Sequence, residues 1–526
     1  MERKNILKNA VAALILGIFA AMIAYAIVPS VLSGTTLKPV VTIVPNSLPV
    51  TYRGATVGGK WYNVGDTVST STGWRFDPAE NVYIAEEVKP LELHLTKARC
   101  RSLTFNVGPD QGSVTVIAGN AEGFFDLKGD YNPNGMGFAV PQEESLSGIQ
   151  LPHIQLIAGV LSFTIVATFS FLTLQKQIKN GEKATDRTRE VWGDLVRAIC
   201  CFTIVVLHNT CNPLYQTEAG SAKWWPILAV NALTAFAVPC FYMISGAFLL
   251  RKETSIKDAV SKRVPKVYIP LIIWSIFYIL TSDEIGVGRF VKMLVLPQTP
   301  HLWFIYCIVG IYLLLPFLSK LYCLLNDAQK AYLIALLLIV PCGWHDLGSL
   351  LGYNVPSLHF AVFWPDLGLF FLGAVLWNQR ERLKEVSKII LFAAFFAGWG
   401  INIALTNFTS TRDGALNTSF ISCIGSAGNI LMATAVICIA LSYRAELENL
   451  PNRVISVITA IGSASMGIYF IHILLPICTS QIPYLNKVLF VSNGPLGIIL
   501  TIMECFLLCL LIVCCGRKVK WLNTVF

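Results

Sequence analysis

The sequence predicts an α-helical polytopic membrane protein of about twelve transmembrane helices, arranged as two plus ten, with an extracytoplasmic β-sandwich-like domain inserted after the first. Three observations predict it. The 526 residues are 54% hydrophobic and only 13% charged, with a mean hydropathy of +0.61, whereas soluble domains are roughly a quarter charged. Apolar runs approaching the ~20 residues that cross a bilayer core recur near 10–32, 152–174, 195–213, 226–249, 267–282, 302–322, 331–344, 358–377, 389–406, 418–441, 457–478 and 495–515. The third observation is charge alternation. With Arg3, Lys4 and Lys8 placed inside, the inner loops carry most basic residues, including Lys176, Arg251, Lys262, Arg263, Lys266, Arg380, Arg444, Arg517 and Lys518. The short outer loops carry only Lys223, Arg289, Lys292, Arg412 and Lys487. That asymmetry is the positive-inside rule.

Taken in order, residues 1–32 read as a transmembrane anchor. Ala24-Tyr25-Ala26 resembles a cleavage site, but the run from Ala10 is long for a signal peptide. Residues 33–148 change character. "GGKWYNVGDTVS", "LELHLTKA" and "SLTFNV" alternate polar and apolar residues between Gly, Pro, Asn and Asp, as antiparallel strands do. Trp61, Tyr62, Trp74, Phe76, Tyr83 and Tyr131 supply either the core of this β-rich domain or a sugar-stacking platform. Residues 149–175 form the second transmembrane helix, 176–193 a charged cytoplasmic linker, 194–515 a ten-helix membrane domain, and 516–526 a cytoplasmic tail. The runs 267–282 and 331–344 are the shortest. The expected location is the plasma or inner membrane.

The net charge of +9 is accounted for by this topology, so no nucleic-acid partner is expected. Of fifteen cysteines only Cys100 falls in the exported region. The rest lie in or beside apolar spans, where Cys behaves as a small hydrophobe. No CxxC spacing suggests a metal site, and no metal is expected.

The chemistry concentrates in "DLVRAICCFTIVVLHN", residues 194–209. Arg197 and His208 are eleven residues apart. On an α-helix that leaves them about 20° apart in azimuth and roughly 16 Å apart along the axis. Ionisable groups in a span face a bundle interior or a water-filled path, so a polar seam is expected to run from one to the other. The simpler readings are an end-charge that snorkels for Arg197 and an interhelical hydrogen bond for His208.

An Asp, two residues, an Arg, ten residues and a His resemble the opening helix of the acyltransferase-3 family of integral membrane O-acyltransferases. "VPCFYMISGAFLL" (238–250), "KRVPKVYIPLIIWS" (262–275), "HLWFIYCIVGIYLLLPFL" (301–318) and "SMGIYFIHILLP" (465–476) resemble later family segments in the same order. The resemblance covers about 195–515 and implies acyl transfer from cytoplasmic acyl-CoA, usually acetyl-CoA, to a hydroxyl of an envelope glycan or glycolipid. It places the general base on His208, with Arg197 and Asp194 on the same helix. Arg197 and the basic loop Lys262, Arg263 and Lys266 would hold the donor's phosphates. Where the family has two arginines three apart, this chain has Arg263 and Lys266, so the second position offers a point charge in place of a fork.

An acceptor site and oxyanion donors are expected among His301, Trp303, Ser465, Tyr469 and His472. Ser465, Tyr469 and His472 share a helix face. Ser245 beside Gly246 reads equally as a close-packing position. Glu504 and Asp366 stand in apolar context with no role assigned. The competing function is a transporter or flippase of a polysaccharide or lipid-linked sugar, its path lined by the same residues. A transporter of that kind tends to show matched, broken repeats, and none is apparent. A third reading makes the β domain the working part, but ten spans exceed what an anchor requires.

Overall fold

The computed structural model describes residues 2–32, 40–57, 60–95, 101–118, 121–129, 132–140, 145–146, 149–179, 190–282, 286–352, 364–480, 482, 485 and 494–526. Cys100, Tyr131 and most of the linker after the second span lie outside the described residues.

Helix α1 (Glu2–Leu32) leads into two main sheets built from eleven of the described strands. These are β1 (Val40–Ser47), β2 (Thr51–Val57), β3 (Lys60–Asn63), β4 (Val68–Thr70), β5 (Trp74–Asp77), β6 (Val82–Ala85), β7 (Leu91–His94), β8 (Arg101–Val107), β9 (Ser113–Ala118), β10 (Ala121–Asp126) and β11 (Asn132–Ala139). One sheet has the order β10-β9-β1-β7-β4, the other β11-β8-β2-β6-β5 with β3 paired to β2. Alternation in the sequence becomes alternation in burial: β9 reads intermediate, buried, intermediate, buried along its length. The buried positions Ile43, Leu91 and Val116 of the first sheet meet Tyr52, Leu103 and Phe105 of the second in one core. Trp74 joins that core and its indole N–H donates to the Lys89 carbonyl at 2.8 Å. Trp61 and Phe76 stay exposed, so the aromatic set divides between core and surface.

The longer helices that follow are α2 (Leu151–Lys179), α3 (Val191–Gln216), α4 (Trp224–Leu233), α5 (Ala237–Leu249), α6 (Val264–Leu280), α7 (Trp303–Leu324), α8 (Asp327–Leu351), α9 (Pro365–Asn378), α10 (Lys388–Asp413), α11 (Ala427–Ser442), α12 (Asn452–Ile471), α13 (Leu474–Ser480) and α14 (Gly494–Gly516). Among the described residues eleven helical spans are long and apolar enough to cross a membrane. This is a multi-pass membrane protein. The two shortest predicted runs are full spans, because flanking polar residues continue the helix. The second of them, α8, starts at a capping box made by Asn326 and Gln329 and stops at Gly352, which has φ 75°. The predicted run 358–377 corresponds to α9, only 14 residues long, and residues 353–363 before it lie outside the described set.

Helices α5 and α9 approach as closely as backbone allows. A Cβ at Gly246 would stand 1.7 Å from the Phe370 carbonyl oxygen, and one at Gly373 1.9 Å from that of Met243. Neither position has room for a side chain, which gives the Ser245-Gly246 pair its packing role.

Candidate active site

Helix α3 carries Asp194, Arg197 and His208, and its partner along that face is α12. The two run in the same direction. A Cβ at Gly462 would lie 2.4 Å from the Asp194 carbonyl oxygen. Further along, the Cys201 thiol donates to the Ser465 carbonyl at 3.7 Å, and His208 meets His472 with ring centroids 5.0 Å apart. Small residues at 462 and 465 bring the helices together so that the side chains at 469 and 472 face His208.

At one end, Arg197 forms a 3.0 Å ion pair with Asp194, one helical turn earlier. Asp194 is 1% exposed and the Arg197 side chain 27%, so the pair lies at the rim of the packed interior. The guanidinium also sits 4.9 Å from the centroid of the Phe248 ring, which stacks on Trp192. Tyr312 lies near Ser245 and within electrostatic reach of both Arg197 and Arg263, while the Ser245 hydroxyl donates to the Phe241 carbonyl at 2.8 Å.

At the other end three imidazoles gather. His208 and His301 centroids are 6.0 Å apart and those of His301 and His472 5.4 Å. Each ring comes from a different element: His208 from α3, His301 from the 3₁₀ turn Pro300–Leu302, His472 from the C-cap of α12. Tyr469 ties them together, since its hydroxyl donates to the His301 carbonyl. His472 Nδ1 lies 2.8 Å from the Tyr469 carbonyl oxygen. A carbonyl only accepts, so Nδ1 carries the proton and Nε2 keeps the lone pair. His301 Nδ1 lies 3.0 Å from Thr299 Oγ1. The Nε2 atoms of His301 and His472 are both buried without a hydrogen-bond partner among the described residues.

A cavity of about 210 Å³ opens from His208, His301 and Tyr469, with Trp303 on its wall. Asn231, Thr234, Ser422 and Asn429 give it hydrogen-bonding groups. Asn231 is buried and donates to Thr210 Oγ1 at 3.1 Å. Neither Asn231 nor Tyr278 was among the expected site residues. The Tyr278 ring sits 5.0 Å from His301 and its hydroxyl donates to the Phe470 carbonyl at 2.8 Å. Asn231 was findable, because an amide within an apolar run needs a partner. Tyr278 was not, since a tyrosine in such a run reads as core.

The continuous polar seam is not present in this conformation. Between Arg197 and His208 the shared face consists of Cys201, Ile204 and Val205, and the space lined by these residues, Phe241, Ser465, Ile468, Tyr469 and His472 is about 10 Å³. The eleven-residue spacing sets azimuth correctly, but the positions between are apolar and pack shut. The Ser465 hydroxyl donates to the Gly462 carbonyl at 2.9 Å, within its own helix.

The basic loop is divided as well. Residues Ala259–Arg263 form a π-helical turn, a local unwinding often found at functional sites. Of the three loop cations, Arg263 lies within electrostatic reach of the half-buried Tyr312. Lys262 is 70% exposed and pairs with Asp258 at 2.6 Å, and Lys266 is exposed. Asp366 occupies the first turn of α9, where the helix dipole favours a carboxylate, and lies within electrostatic reach of Tyr242 and Cys307. Glu504 is half-buried on α14 and is not without a partner.

A membrane helical bundle with an arginine–carboxylate pair at one end and a histidine cluster over a polar cavity at the other defines a class: integral membrane proteins with an intramembrane reaction or transport site. Residues 190–515 match the family model described as an acyltransferase domain, and the chain belongs to this acyltransferase-3 family. No curated protein matches the chain. The protein is therefore a membrane acyltransferase.

Proposed function

We propose that the protein is an O-acetyltransferase that moves an acetyl group from cytoplasmic acetyl-CoA to a hydroxyl of an envelope glycan or glycolipid. The observation that carries this reading is the division of one helix, α3, into a cationic end at Arg197 and a histidine end at His208 facing a cavity with amide and hydroxyl walls. The protein lies in the plasma or inner membrane, with the Arg197 end cytoplasmic and the β domain extracytoplasmic. Arg197 and Arg263 hold the donor's phosphates near Tyr312, and the donor's extended arm crosses the roughly 16 Å to His208. Crossing requires Phe241 and Ile204 to part.

In the reaction His208 takes the proton of the acceptor hydroxyl. The freed oxygen attacks the thioester carbonyl, a C–O bond forms, the C–S bond breaks, and the CoA thiolate leaves with the acceptor's proton, taken from the imidazolium. With Thr299 donating to Nδ1, His301 presents its buried Nε2–H to the developing oxyanion. The Tyr469 and Ser465 hydroxyls are already engaged with carbonyls, so they position neighbours.

The donor half is tested by Arg263→Ala. Losing a charge-assisted phosphate contact costs about 1.5–3 kcal/mol, which is roughly 10- to 100-fold in affinity for acetyl-CoA. Calorimetry on purified protein is expected to read that loss. Lys262→Ala serves as the comparison, because its ammonium is exposed and paired to Asp258; it is expected to change affinity less than threefold. Unchanged affinity in Arg263→Ala would return the loop to a topogenic role.

A further inference from the structure

A second cavity, far more apolar than the one at His208, lies between the α1–α2 pair and the transferase domain. It measures about 390 Å³ and is lined by Phe19 and Ile23 of α1, Ile165 of α2, Trp274 of α6, and the tail residues Trp521, Leu522, Val525 and Phe526. Apart from indoles its wall carries one polar side chain, Ser162. The Trp274 indole N–H is already committed to the Val525 carbonyl at 2.9 Å. The wall thus offers almost nothing to water or to a sugar.

Its setting says what fills it. The lining residues of α1, α2 and α6 all fall inside candidate membrane spans, so the groove opens onto hydrocarbon. Helix α2 packs on α1 and leaves Leu161, Ile165 and Leu172 exposed. A lipid chain enters such a groove without losing hydration, since it is already in an apolar phase. The groove's tail end carries charge. Lys518 and Lys520 are exposed just before Trp521, and Trp521 itself is 40% exposed and in edge contact with Phe169 of α2. Ala12 packs with Val519 in one cluster, which places Lys8, one turn before Ala12, at the same end. An indole and cations beside an apolar slot match the headgroup level of a bilayer.

We infer that this groove holds one hydrocarbon chain of an anionic membrane phospholipid whose phosphate lies against Lys518 and Lys520. The bound chain fills the gap between the pair of helices flanking the β domain and α6 of the transferase domain. The inference does not depend on the acetyl-transfer reading.

Native mass spectrometry of the purified full chain, titrated with phosphatidylglycerol or phosphatidylcholine of identical chains, tests it. Wild type is expected to retain one phosphatidylglycerol, preferred by roughly tenfold over phosphatidylcholine. Lys518→Gln with Lys520→Gln is expected to remove that preference and leave phosphatidylcholine retention unchanged. Ala20→Trp fills the groove from α1 and Ser162→Phe from α2, so a folding failure in one leaves the other. Each monodisperse variant is expected to lose the retained lipid. Equal retention of the two lipids by wild type, or full phosphatidylglycerol retention in either groove-filling variant, would overturn the inference.

Discussion

His208→Gln is expected to lower acyl transfer by about 10²- to 10⁴-fold, the usual cost of losing a positioned base, while the protein accumulates in the membrane as wild type does. Glutamine keeps the size and a hydrogen bond but cannot cycle a proton near neutral pH. The ring of His208 contacts those of His301 and His472, so a purely structural histidine would tolerate glutamine and retain turnover. Acetyl-CoA affinity is expected to stay within threefold of wild type, because the proposed donor site is at the Arg197 end. Activity in the glutamine variant, read by ester formation per mole of folded protein, would remove His208 from the chemistry.

Asp194→Ala is expected to destabilise the protein by about 3 kcal/mol, the lower end of the cost of stranding one partner of a buried ion pair. The lower end applies because the Arg197 side chain keeps 27% exposure. The effect reaches function too: without Asp194 the guanidinium is held less firmly toward the proposed donor site, so acetyl-CoA affinity is expected to fall with stability. Asp194→Ala combined with Arg197→Leu is expected to recover much of the stability and none of the donor binding, since it removes the stranded charge along with the fork. Thermal unfolding in detergent beside calorimetry separates the two effects. An Asp194→Ala variant as stable as wild type would mean that the ion pair with Arg197 adds nothing to the stability of α3.

The membrane domain was legible because spans are written as composition and length, and the strands after α1 because alternation survives as burial. The shared azimuth of Arg197 and His208 followed from helical period. What the period does not encode is which neighbour packs against which face. The closure at Ile204 and Phe241 depends on α5 and α12, the second of which lies far along the chain from α3. Helical period put Ser465, Tyr469 and His472 on one face, but the convergence of His301 and His472 on His208 was not legible, since the three rings come from three elements. Among the loop cations, the pairing of Lys262 with Asp258 stood in the sequence as an i, i+4 pair. It was passed over because topogenic charge and site charge have the same composition.

The central claim is acyl transfer at the His208 end of α3. It is tested most directly by incubating purified protein in sealed vesicles with acetyl-labelled acetyl-CoA on the Arg197 side and envelope glycans on the other. The account predicts label on the glycan in alkali-labile ester linkage, formed by wild type and absent with His208→Gln. Passage of a lipid-linked sugar across the vesicle with no ester label would contradict it.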